Sequence, residues 1–333
     1  MLRLFTKWNE KTVAEFLINS EYIDMSLCDS EGMTPWHYAA AWGHHKTMRI
    51  LIQIPQYVSC LDTPERRQGD TALIIAARYQ QYESLRILLD AGADMNRQNE
   101  KRESVLFWAV KHNKPALTRE LLRRGANPNH MVCHGFTPLI MAIIQGRLDL
   151  VKALIEGGSD MKLPDDRGHR PLSWAVISDD ISIAAALLSN ETVTPTISTS
   201  PAEHSPLIWA VIVGNYDMVR LLLSYGADIA QQSSDRRTPL IWAVIYRNVS
   251  VAKLLLQRGA LPDEVDGGGK SALAWALLEG NQEMYWPRQL CEIVTGIQFG
   301  LTYVSDEVVR VVTLRACYSG LMEVQLKKAL TTI

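Results

Sequence analysis

The chain has 333 residues, 47% of them apolar, with 34 basic and 36 acidic side chains and a formal net charge of −2. That balance leaves no electrostatic footprint for nucleic acid or an anionic membrane, and no stretch approaches 18 apolar residues, so neither partner is expected. Five scattered cysteines (Cys28, Cys60, Cys133, Cys291, Cys317), never in a C-x-x-C, suit unpaired thiols in a reducing compartment, and the first ten residues lack the apolar run of a secretory signal.

Residues 1–28 read as a worn capping unit, with Val13, Phe16, Leu17 and Ile18 on one helix face. From Asp29 onward a seven-residue phrase recurs. It begins at Thr34, Thr71, Ser104, Thr137, Arg170, Ser205, Thr238 and Ser271, and the last two steps are each 33 residues (238 − 205 and 271 − 238). A fixed period of this size makes the protein a stack of like units.

Thr238-Pro239-Leu240-Ile241-Trp242-Ala243-Val244 shows the logic. Thr caps a helix, and Pro fits its first turn, where the missing N–H costs nothing. Apolar residues then recur at helical spacing. Arg247-Asn248 stands where Gly43, Gly146, Gly214 and Gly280 end the first helix of other copies. A second helix runs from Val251 to Gln257, Gly259-Ala260 stops it, and about eight residues remain for a tight hairpin. The spacing therefore predicts helix, turn, helix and hairpin finger in each unit.

The period is interrupted at residues 54–70 and 189–204, which read as longer loops. Residues 29–282 hold the eight units. Residues 283–333 read as a long helix followed by a degenerate cap or an unrelated helical tail.

The phrase Thr34-Pro35-Trp36-His37-Tyr38-Ala39-Ala40 with Gly43-His44, the stops Gly92-Ala93-Asp94, Gly125-Ala126-Asn127 and Gly226-Ala227-Asp228, and Thr137-Pro138-Leu139 resemble the ankyrin-repeat family. The resemblance implies an all-α solenoid of helix-turn-helix units with β-hairpin fingers, about eight clear repeats, and degenerate caps at both ends. It also implies a binding module in place of an enzyme. Ala316-Cys317-Tyr318-Ser319-Gly320 is similar to the family's inter-helix turn and fits a ninth repeat.

With Thr238 counted as position 6, tryptophans fall at position 10: Trp108, Trp174, Trp209, Trp242 and Trp275. We expect these rings to pack between the helices and the next repeat. Position 13, which in this family usually faces the concave groove, holds Ile144, Ile177, Ile212, Ile245 and Leu278, with Val213 and Tyr246 beside two of them. Two readings stay open: an exposed apolar contact strip, or a widened core. In the first half, Arg78-Tyr79 and Lys111-His112 occupy positions 13 and 14, and the fingers carry Arg66, Arg67, Lys101 and Arg102. That gives a net basic groove able to steer an acidic partner.

Chemistry for catalysis is sparse. His130, Cys133 and His134 share one finger, but their spacing is cramped and a fourth zinc ligand is not evident. No phosphate loop, nucleophile elbow or Cys/His pair is found. The expectation is no catalytic residue, no metal and no cofactor. The chain is read as cytosolic, or delivered to a host cytosol, and monomeric on its own. It is expected to mask or sequester another protein, as an effector or a toxin-neutralising inhibitor does. The alternatives are an adaptor whose tail, near Thr313–Cys317, recruits a ubiquitin ligase, and an enzyme in the tail from Met284.

Overall fold

The computed structural model describes residues 28–53, 58–195 and 204–279, with side-chain environments up to 276. The expected caps at 1–28 and 283–333, and the heart of the 189–204 loop, lie largely or wholly outside those residues.

Among the described residues the fold is all-α, with fifteen α-helices. The first unit, within residues 1–167, holds α1 (Pro35–Trp42), α2 (His45–Ile52), α3 (Ala72–Arg78), α4 (Tyr82–Asp90), α5 (Val105–Lys111), α6 (Pro115–Arg123), α7 (Pro138–Ile144) and α8 (Leu148–Glu156). The second unit, within 168–333, holds α9 (Pro171–Ile177), α10 (Ile181–Leu188), α11 (Pro206–Val213), α12 (Tyr216–Ser224), α13 (Pro239–Ile245), α14 (Val249–Gln257) and α15 (Ala272–Glu279). Consecutive first helices pack on one another, α1–α3–α5–α7 in one unit and α9–α11–α13–α15 in the other, and each second helix packs against its own first helix.

The helices start where the caps stand. The side-chain oxygens of Thr71, Ser104, Thr137, Ser205 and Thr238 each accept the backbone N–H three residues on, at 3.2–3.4 Å. This satisfies one donor that the helix leaves open. The first helices from α1 to α13 each stop at a left-handed residue nine positions after the cap, and Arg247 (φ 56) takes that role in place of glycine, as its position implies. The buried faces are aliphatic: Leu73, Leu85 and Leu88 in one unit, Leu240, Val244 and Leu255 in the other.

The expected β-hairpin fingers need a correction. No strand forms among the described residues, and Val265 and Ser271 make an isolated antiparallel bridge. The fingers are too short for a ladder: a single backbone hydrogen bond closes the turn, as from Asn99 N to Glu103 O (3.1 Å) and Val132 N to Phe136 O (2.9 Å), and in several a side chain reinforces it. The Asn99 carboxamide oxygen accepts the N–H groups of Lys101 (3.0 Å) and Glu103 (2.8 Å). Asp266 does the same for Gly268 and Lys270, both at 2.9 Å, and Asp29 for Glu31 and Met33, also at 2.9 Å. Such turns suit short Asx side chains. Neighbouring fingers are joined through backbone: Arg66 N to Glu31 O (2.8 Å), Glu100 N to Gln68 O (2.8 Å) and Gly267 N to Asp235 O (2.9 Å).

Candidate functional site

In both units the first helix and its finger meet along one face, and most of the residues singled out in the sequence lie there. The first unit is organised by Asp70. Its carboxylate takes Nη1 of Arg78 at 2.6 Å and Nδ2 of Asn99 at 2.7 Å. Arg78 also donates to Gln68 (2.9 Å), approaches Glu103 (3.7 Å), and lies over the Trp108 ring at 4.9 Å. Burial raises the Asp70 carboxyl above its ordinary value, against the lowering effect of Asn99 and Arg78. Arg78 is thus a strut between the second and third repeats, and most of its charge is spent inside the protein.

Lys111 differs. It is exposed, and its ammonium rests 4.3 Å from the Trp108 ring centre and 5.5 Å from that of Phe107. His112 stacks on Trp108 (5.5 Å) and its Nε2 meets the Arg78 carbonyl at 3.1 Å. Lys101 and Arg102 are exposed on their finger, with Arg102 left-handed at φ 61. Arg66 is exposed, and Arg67 reaches Glu31 at 3.6 Å with both side chains in solvent.

A groove of about 300 Å³ opens between the first and second repeats. Trp42 and Tyr79 line it, each 60% exposed. Sequence reasoning passed over Trp42 because it followed position 13. Trp42, Tyr79, Val213 and Tyr246 all occupy position 14, and all four are exposed. The signal was available: a large apolar residue recurs one place after the isoleucine column.

The isoleucines are not uniformly exposed. Ile144, in the first unit, is 38% exposed, while Ile177, Ile212 and Ile245 in the second are half-buried. On the first helices of that unit the exposed large apolar residues are Val213 at 52% and Tyr246 at 49%, while Tyr216, Tyr225 and Leu261 are exposed outside the first helices. The side chain of Leu278 lies outside the described residues.

The tryptophans also need a correction. Trp108 and Trp242 are buried, but Trp174, Trp209 and Trp275 are only half-buried. In the second unit two of the rings turn toward their own fingers. Trp242 Nε1–H donates to Ser233 Oγ (3.3 Å) and Trp275 Nε1–H to Asp266 Oδ2 (2.8 Å). The guanidinium of Arg237 lies 4.9 Å from both ring centres, held by Asp235 at 3.0 Å and Asp266 at 3.7 Å. Burial would raise the Asp266 carboxyl. The Lys270 N–H, the Trp275 indole, the Gly268 N–H and Arg237 outweigh it and hold the carboxyl below its ordinary value. The polar finger supplies the acceptor for these two indoles, whereas Nε1 of Trp108 and of Trp209 is buried without a hydrogen-bond partner.

Among the described residues no cluster of three or more histidine, cysteine or acidic side chains is arranged for a metal ion. Cys133 is exposed, and its thiol points at the Lys101 carbonyl, 3.7 Å away. No described helix is long and apolar enough to cross a membrane.

Comparison with known proteins agrees with this geometry. The family model described as "Ankyrin repeats (3 copies)" matches residues 4–99, 89–165, 106–198, 145–233 and 207–287. The chain is 30% identical over 126 residues to human "Neurogenic locus notch homolog protein 1", covering 38% of this chain and 5% of that protein. It is 36% identical over 84 residues to "Ankyrin repeat protein nuc-2" of Neurospora crassa, covering 25% of this chain and 8% of that one. The chain therefore spans only a small part of these relatives. The solved ankyrin repeat domain of Bcl-3 superposes with a TM-score of 0.61 at 23% identity, covering 69% of this chain and all of that domain. With the family model matching most of its length in overlapping blocks, the chain belongs to the ankyrin-repeat family.

Proposed function

We propose that the chain is a non-catalytic docking module whose first helices and fingers form the face presented to a partner protein, which it masks or sequesters. Ankyrin repeats are in general protein–protein interaction modules. The observation that carries the finer reading is the exposed column at position 14. Val213 and Tyr246 are large apolar groups half in solvent on neighbouring first helices, Tyr246 stacking one face of its ring on Trp242 at 5.9 Å. Apolar groups at a contact centre supply most of the binding energy, and charges at its margin set the encounter rate; within the first unit, Lys101, Arg102 and Lys111 are exposed charges suited to that second role. The free thiols of Cys28, Cys60 and Cys133 support a reducing, cytosolic setting for a chain that is monomeric before it meets its partner.

The test is a double variant, Val213→Asp with Tyr246→Asp. The expected result is a folded protein that loses only the roughly 0.5–1.5 kcal/mol of the Tyr246–Trp242 ring pair, and at least a tenfold loss of partner capture, since two apolar contacts become desolvated charges. Unchanged capture by a folded double variant would place the contact elsewhere.

A further inference from the structure

We propose that the groove between the first and second repeats receives a cationic side chain, lysine or arginine, from an extended segment of the partner protein. This rests on the docking reading above and adds the chemistry of one subsite. The groove's volume of about 300 Å³ is at the small end for a ligand pocket and is large enough for one long side chain with its flanking backbone.

Two features select a cation. The first is aromatic. Trp42 and Tyr79 both line the groove and both stand in solvent, and ring faces attract a cation through their quadrupole. The second is charge. Three carboxylates line the groove, Glu31, Glu65 and Asp70, against two guanidiniums, Arg67 and Arg78. Arg78 is committed to Asp70 at 2.6 Å and is drawn off toward Glu103, which is not part of the lining. Arg67 touches Glu31 at 3.6 Å in an exposed pair of little energetic value, so an arriving cation can displace it.

The carboxylates divide the work. Glu65 is fixed by the N–H groups of Arg67 and Gln68 at 2.6 Å each, and Asp70 by Asn99 and Arg78. Asp70 is neutralised by its pairing with Arg78, so Glu65 supplies the standing negative field. Glu31, half in solvent, is the carboxylate able to turn onto an incoming ammonium or guanidinium. An acidic side chain would meet the carboxylates of Glu31 and Glu65 instead.

The experiment uses the full chain labelled with 15N and four capped peptides of sequence Gly-Ser-Gly-X-Gly-Ser-Gly, where X is arginine, lysine, glutamine or glutamate. The readout is the Trp42 indole N–H resonance, identified by its loss in Trp42→Phe. The arginine and lysine peptides are expected to shift it saturably and the glutamine peptide to leave it still. Glu31→Gln is expected to weaken the response by about twofold to fivefold, the range of one exposed charge contact. Unmoved Trp108 and Trp242 indole signals show that the variant is folded. Stronger binding of the glutamate peptide, no response to arginine, or a response that Glu31→Gln leaves unchanged would each overturn the proposal. Free peptides test this subsite alone. Docking of the whole partner is read at Val213 and Tyr246, in the other unit, so the two readings fail separately.

Discussion

The imidazole of His37 reaches across to the next repeat: its Nε2 meets the backbone carbonyl of Asp70 at 3.1 Å. Its Nδ1 takes the N–H of Thr34 at 2.9 Å and the Thr34 hydroxyl at 2.7 Å. A nitrogen that accepts a backbone N–H carries no proton, so the hydrogen bonds assign the neutral ring with hydrogen on Nε2. His37 is fully buried, and burial is the main cause that lowers its pKa from the ordinary 6.5.

The sign follows from linkage. Because the folded pKa is depressed, the unfolded chain takes the proton first as pH falls, so the stability His37 contributes is complete above about pH 6.5 and declines below it. Urea unfolding at pH 7.5 and pH 5.5 should show lower stability at the acid pH. In His37→Gln the pH slope should shrink without vanishing, since His204 and His130 are lowered by burial too. A slope identical in the two proteins would contradict the assignment.

Trp242→Ala should cost roughly 3–5 kcal/mol in denaturant unfolding, the range for large aromatic deletions from a core. The variant leaves Arg237 facing one ring in place of two and strips Ser233 of its indole donor. A loss below about 1 kcal/mol would show that the finger holds its shape without the ring.

Arg78→Glu sets a third acid against Asp70 and Glu103 and should destabilise on the order of 3 kcal/mol, as breaking a largely buried ion pair does. Lys111→Glu, in solvent, should cost less than about 1 kcal/mol. Equal costs from parallel urea titrations would mean that Arg78 is a surface charge after all.

Arg102 and Arg236 are left-handed (φ 61 and 60) at finger positions where other repeats carry glycine. Arg102→Gly should therefore stabilise by about 0.5–1 kcal/mol. Gly135→Ala at the matching place should destabilise by about 2 kcal/mol, because its φ is 72 and an added Cβ would meet the Asp166 amide nitrogen at 2.6 Å. Thermal melts of both variants check the pair, and a shift in the same direction for both would refute the strain argument.

The repeated frame was legible because its signals are local. Thr238 and Ser205 cap within three residues of themselves, and a 33-residue step exposes the copies. The finger turns were legible too and were missed: Asp29, Asn99 and Asp266 each stand five places before a phrase begins. The fate of Arg78 was not legible. Its partners Asp70 and Glu103 lie on two different fingers, and only stacking brings them to one guanidinium, so scattered mixed charge was read as a net basic groove. The tryptophans were assigned to the helix interface because ring size suggests burial. The indole donors of Trp242 and Trp275 instead follow the polar finger, which volume does not reveal.

The docking face is tested most directly by photo-crosslinking. A photoreactive residue is placed singly at Val213 or Tyr246 on the first helices, and at Arg220 or Lys253 on the exposed sides of the second helices, each in the full chain in native extract. The predicted result is the same crosslinked partner from both first-helix positions and none from Arg220 or Lys253. A partner captured from the second-helix positions, with none from Val213 and Tyr246, would contradict docking through first helices and fingers.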